Sequence, residues 1–164
     1  MGHSYAGMVI TGVVARVPAR IAQVVYLDAF LPEDGKCRND YSVGAPGYAE
    51  NVRANGEGWR LPFAGTLTLE ALGVTDAADV AWMAPRMRDQ PYRTFTQPVR
   101  LPAGWPGAVR PVYLLSSERP HYQEAAERAA SKGFHLLRIP GAGHDAMVTR
   151  PVEVADALLK LTTP

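Results

Sequence analysis

The chain has 164 residues, 17 Lys and Arg against 16 Asp and Glu, a net charge of +1 and 47% hydrophobic residues. That length suits one domain, since domains run at about 100–200 residues, and the apolar fraction excludes a disordered chain. The near-neutral balance argues against nucleic acid as a partner, and no apolar run approaches the roughly 18 residues of a membrane span.

No charged leader with an apolar centre and a cleavage site follows Met1. Residues 6–17 carry Met8, Val9, Ile10, Val13, Val14 and Ala15. These surround most of a helical wheel, so the helix is expected to be buried on more than one side. Pro18 stops it. Gln23-Val24-Val25-Tyr26-Leu27-Asp28 reads as a central strand of a parallel sheet, because its apolar run is continuous. Pro32-Glu33-Asp34-Gly35 marks a turn. Cys37, the single cysteine, cannot pair within the chain and suits a reducing compartment, so a cytoplasmic location is expected.

Residues 41–107 are rich in Gly and Pro and lack a long periodic pattern. Short helices are expected near 68–72 and 76–87. Trp59, Phe63, Trp82, Met83, Met87, Tyr92 and Phe95 either fill a small core of this insert or line a substrate pocket. The last segment reads strand, helix, strand, helix. Val112–Leu115 is a strand, and residues 122–132 form a helix with Ala125, Ala126, Ala129 and Ala130 on one face, ended by Gly133. Residues 134–139 form a strand. Pro151 opens a final helix whose Val154, Ala155, Leu158 and Leu159 make one face. Strands alternating with helices predict an α/β fold, a parallel sheet with helices on both faces. Residues 1–40 and 108–164 would form this core, with 41–107 as an inserted lid.

Two motifs can carry chemistry. Gly2-His3-Ser4-Tyr5-Ala6-Gly7 has the pattern of a nucleophile elbow, a serine on a tight strand-to-helix turn flanked by small residues. Ala6 replaces the usual second glycine, and the competing explanation is an ordinary helix N-cap serine. His144 lies in Gly141-Ala142-Gly143-His144-Asp145, directly after the last strand, where an imidazole can reach a serine hydroxyl as general base. The other histidines, His3, His121 and His135, are expected to be structural or solvated. None forms an i, i+4 pair or joins a cluster of cysteines or carboxylates, so no metal and no cofactor are expected.

With these residues in view, the chain resembles the α/β-hydrolase superfamily, and within it small esterases of the hydroxynitrile lyase, methylesterase and pyrethroid-hydrolase-like group. The carriers are G-H-S-Y-A-G-M at 2–8, Y-L-D-A-F-L-P-E-D-G at 26–35 and G-H-D-A-M-V-T-R-P at 143–151. The resemblance implies Ser4 as nucleophile, His144 as general base and the Tyr5 backbone N–H as an oxyanion donor. For the acid it leaves two candidates. Asp28 ends the preceding strand, and Glu118 lies at the strand end where the family more often places its aspartate. Asp28 is favoured, because its short side chain is well placed to orient an imidazole and Arg119 can neutralise Glu118.

The implied activity is hydrolysis of a small carboxylic ester through an acyl-enzyme. Hydroxynitrile-lyase-type chemistry on the same residues is the alternative, and an inactive fragment or interaction module is another. The family's serine-delivering strand and second oxyanion donor precede the elbow, whereas only Met1 precedes Gly2 here. The chain therefore reads as the C-terminal part of a hydrolase. A sheet of about three strands, weak or absent activity for these residues alone and self-association through an exposed sheet edge are expected.

Overall fold

The computed structural model describes residues 1–42 and 44–161. Strand β1 (Gly2–Ser4) leads into helix α1 (Ala6–Arg16) and strand β2 (Gln23–Ala29). A long excursion follows, containing α2 (Ala45–Asn55), β3 (Arg60–Leu61), α3 (Ala77–Met83), β4 (Gln90–Pro91) and α4 (Arg93–Thr96). The chain returns through β5 (Arg110–Leu115), α5 (Pro120–Ser131), β6 (His135–Arg138), α6 (Ala146–Thr149) and α7 (Pro151–Lys160). The main sheet is wholly parallel, in the order β1-β2-β5-β6, and β3 pairs with β4 in a separate antiparallel ribbon.

Side chains alternate across a strand, and here the two faces take different partners. Tyr26 and Tyr113 are register partners whose rings stack at 6.3 Å. They are buried with Met8 and Val14 of α1 and with Ala125, Ala126 and Ala129 of α5. Leu27 and Leu114, the next pair along, face the opposite way and pack under Ala146 of α6 and Val154 of α7. Helices thus cover both faces. A buried phenol needs a hydrogen-bond partner. The Tyr26 hydroxyl lies 2.7 Å from Thr11 Oγ1, which itself donates to Gly7 O, and the Tyr113 hydroxyl donates to Ala29 O at 2.7 Å.

Four expectations need correction. The sheet has four strands, not three, because Gly2–Ser4 pair with β2 in their own right (Gly2 with Tyr26, His3 with Leu27). Helix α1 is buried on one side only, through Gly7, Met8, Thr11 and Val14, while Val9 and Val13 are 49% and 44% exposed. The buried stripe of α7 runs through Val154, Ala157 and Leu158, so Ala155 and Leu159 fall outside it. In α5, Ala130 is exposed, and the helix instead buries Tyr122. The insert is also more ordered than its composition indicates. Helix α2 starts at Ala45 despite Pro46 and Gly47 in its first turn, where a proline N–H has no intrahelical partner to lose.

Gly7 sets how closely α1 approaches the sheet. A Cβ at this position would lie 2.0 Å from the Phe30 carbonyl oxygen. Only glycine admits this contact, which presses the start of α1 against the end of β2.

Candidate active site

Pairing between β1 and β2 slips at one point. His3 pairs with Leu27, but Ser4 pairs with Ala29. Asp28 is the residue left over, a bulge that turns its side chain out of the regular alternation. Its φ is +40°, and Ser4 opposite has φ +53°. A left-handed backbone costs an L-residue about 1–2 kcal/mol, and non-glycine strain of this kind collects at functional sites. Ser4 sits on the tight turn into α1, with its carbonyl held by the Phe30 N–H at 3.1 Å. Tyr5 is the N-cap residue of α1, so its backbone N–H lies at the positive end of that helix.

The Asp28 carboxylate is fully buried and accepts four hydrogen bonds. Oδ1 accepts from the Ser116 and Ser117 N–H groups at 3.1 Å each, and Oδ2 from Ser117 Oγ at 2.6 Å. The fourth bond joins Oδ2 to His144 Nδ1 at 2.7 Å. Burial works to raise the carboxyl pKa, but the bonds from His144 and Ser117 and the imidazole charge outweigh it, holding Asp28 below the usual aspartate value. Asp28 is therefore a fixed anion behind a buried His144. Glu118 is exposed and accepts from Gln123 Nε2 at 3.0 Å. The structure brings Ser4, His144 and Asp28 together and leaves Glu118 outside.

The His144 loop is fastened from the insert, a connection the sequence did not signal. The backbone N–H groups of His144 and Asp145 donate to Leu72 O at 3.0 and 3.2 Å. This needs Gly73 against Gly143, where a Cβ on Gly73 would lie 2.8 Å from the Gly143 Cα.

Tyr122 was also missed. Its hydroxyl lies 3.1 Å from Ser4 Oγ and 3.3 Å from His144 Nε2, and its ring stacks on the imidazole at 4.7 Å. The phenol bridges the two groups, and no direct hydrogen bond joins Ser4 to His144. Burial raises the Tyr122 pKa, so the O–H stays intact at any working pH. No sequence pattern could have found this contact, because 118 residues separate Tyr122 from Ser4.

His3 is more than a packing residue. Its Nε2–H donates to the His144 carbonyl at 3.1 Å, and the two rings lie 4.4 Å apart. Burial, with the neighbouring His144, lowers the His3 pKa to about 4. The ring is neutral near pH 7, so its 3.6 Å approach to Asp145 Oδ1 is not an ion pair. Burial raises the Asp145 carboxyl pKa, and its Oδ2 is buried without a partner.

The expectation that no histidine joins a carboxylate cluster is thereby corrected. The fold brings His3, His144 and Asp145 together, with one ligand atom from each within 4.8 Å of the others, a set that could hold a metal ion. His144 Nδ1 is bonded to Asp28 and Nε2 to the Tyr122 hydroxyl, so an ion on this histidine would have to displace the phenol from Nε2.

A cavity of about 310 Å³ opens beside Ser4 and His144, and the insert supplies much of its wall, including Leu61, Phe63, Leu67, Met87 and Phe95. Phe95 also packs with Val52 and Leu61 in a small cluster of the insert. The insert aromatics therefore divide between both expected roles, while Trp59 and Trp82, 57% and 54% exposed, serve neither. No helix among the described residues is long and apolar enough to cross a membrane.

Comparison with known proteins places these observations in a group. The profile of the alpha/beta hydrolase family matches residues 1–157. A carbendazim hydrolyzing esterase from Nocardioides sp. (strain SG-4G) is 32% identical over 180 residues, covering 98% of this chain and 69% of that enzyme. Among solved structures, an extracellular alpha/beta-hydrolase from a Paenibacillus species superposes with a TM-score of 0.78 at 21% identity, over 97% of this chain and 69% of that one. Tomato methylketone synthase I superposes at 0.73 with 18% identity, over 98% and 68%.

Proposed function

The chain belongs to the alpha/beta hydrolase family, and from that membership we propose that its site is the acyl-transfer centre of a serine esterase. The observation that carries this reading is the 2.7 Å bond from buried Asp28 to His144, with Ser4 on its strained turn beside them. The 32% identical relative, named as an esterase, supports the reaction class.

In the proposed cycle, Ser4 Oγ attacks the ester carbonyl carbon as His144 Nε2 takes the hydroxyl proton. Asp28 holds Nδ1–H and stabilises the imidazolium that forms. The Tyr5 N–H stabilises the developing oxyanion, a contribution that can reach about 10²–10³ in turnover. His144 returns its proton to the leaving oxygen, and the alcohol departs from an acyl-Ser4. Water, deprotonated by His144, then releases the acid and restores Ser4. Residues 41–107 would act as the lid, since they wall the cavity and hold the His144 loop through Leu72.

The test is covalent capture. A fluorophosphonate probe should add once per chain by intact mass and should fail to add to Ser4→Ala. A folded protein that takes up no probe, or that still labels after Ser4→Ala, overturns the proposal. Acyl capture from an ester substrate also separates this chemistry from hydroxynitrile-lyase-type chemistry, which forms no acyl-enzyme.

A further inference from the structure

Arg38 is the cation of the cavity that the esterase reading leaves unused. It follows Cys37 on a short 3₁₀ turn, lines the same cavity as Ser4 and His144, and is only 9% exposed. Its guanidinium carbon lies 4.3 Å from the Phe95 ring centroid, 4.9 Å from Tyr48 and 5.0 Å from Phe30. Three aromatic rings thus surround the ion. Ring faces attract the charge, but they do not take the in-plane N–H donors. Arg38 Nε and Nη1 are both buried without a hydrogen-bond partner, and among the described residues no carboxylate pairs with it.

A buried guanidinium with no carboxylate beside it is costly to maintain, and of its neighbours Tyr48 relieves it in part through a side-chain hydrogen bond. The other cavity arginines each have backbone carbonyl partners. Arg119 donates to Ala71 O, and Arg88 to Pro85 O and Met87 O. The one carboxylate lining the cavity, Asp145, lies against His3. Beyond these and the Ser4–His144 end, the cavity wall holds Thr66, Gln90 and His121 among mostly apolar and aromatic residues. A ligand that suits this site carries an anion at one end, to meet the cavity-lining guanidinium, and an apolar body, to lie along the rings.

We propose that Arg38 is a specificity-determining seat for a carboxylate, and that the substrates are esters bearing a carboxylate remote from the scissile bond on an aromatic or alkyl spacer. This rests on the esterase reading for the reaction but not for the binding.

Benzoate and benzamide share a ring and differ in charge, so they serve as binding probes by calorimetry. Hydrogen bonds to a charged group exceed neutral ones enough that benzoate should bind about tenfold tighter or more. The preference should persist in Ser4→Ala and fall to within about twofold in Arg38→Met, where the charge is gone. In turnover, 4-acetoxybenzoate should be favoured over methyl 4-acetoxybenzoate once each is divided by its rate with hydroxide. Equal binding of benzoate and benzamide by the unaltered protein overturns the proposal, even if Arg38→Met fails to fold. A preference that survives Arg38→Met and is lost in Arg119→Gln overturns it as well. Fluorophosphonate labelling reads the esterase proposal separately. Lost labelling with the benzoate preference intact removes the esterase and keeps the anion seat.

Discussion

Asp28 and Tyr122 stand in opposite relations to Ser4. Asp28 is a fixed anion whose ring partner is His144, so Asp28→Asn should disturb the tautomer while leaving the fold in place. Turnover should fall about ten-thousandfold, measured with an activated ester beside a circular-dichroism control. Glu118→Gln removes an exposed group, and a change within about 0.5 kcal/mol in either stability or barrier is expected. Tyr122 competes instead of helping. Its hydroxyl holds Ser4 Oγ away from a direct bond with His144 Nε2. Tyr122→Phe removes a hydrogen bond of about 0.5–1.5 kcal/mol, and probe labelling of Ser4 should accelerate severalfold, up to about tenfold. An unchanged or slower labelling rate would show that the phenol assists the serine.

Between elements, the decisive contact is α1 on the end of β2. Gly7→Ala places a methyl 2.0 Å from the Phe30 carbonyl, where neither backbone can yield cheaply. A loss of about 1–3 kcal/mol or more is expected, read as a lowered urea midpoint. What the sequence disclosed and what it hid divide along the same lines. The runs at 23–28 and 112–115 announced parallel strands, because continuous apolar residues leave few other placements. Gly2-His3-Ser4 and Gly143-His144 announced the turn and the loop, because tight geometry demands those residue types. Contacts between distant segments left no local trace. The bulge at Asp28 depends on the register of β1, the Leu72 anchor on two glycines 70 positions apart, and the Tyr122 bridge on a helix that composition marks only as alanine-rich. The exposed side of α1 was misjudged for a related reason: apolar composition reports what a helix is able to bury, not how much of it meets a partner.

Across the whole molecule, two histidines set the response to acid. Burial lowers both His3 and His121 to about 4, His3 aided by His144 and His121 by Arg119 and Arg38. The unfolded chain binds those protons below its ordinary histidine value of 6.5, and the folded chain does so only near 4. Between these limits the unfolded state carries more protons, so stability falls as pH drops from 6.5 towards 4. Asp145, with its raised carboxyl, tempers the fall by gaining a proton more readily in the folded state. Urea midpoints should decline through this window, and His3→Gln should flatten the decline. A midpoint independent of pH there would contradict it. The strand order carries one more consequence. β2 and β5 are neighbours in the sheet, yet the entire insert separates them along the chain. Asp28 meets the Ser116 and Ser117 amides only when that long loop has closed, and closing it loses chain entropy before any contact is returned. Asp28 therefore reaches its amide partners only in a chain that has joined these two strands, and one that has collapsed without joining them holds Ser4 on its turn beside an unfinished cavity.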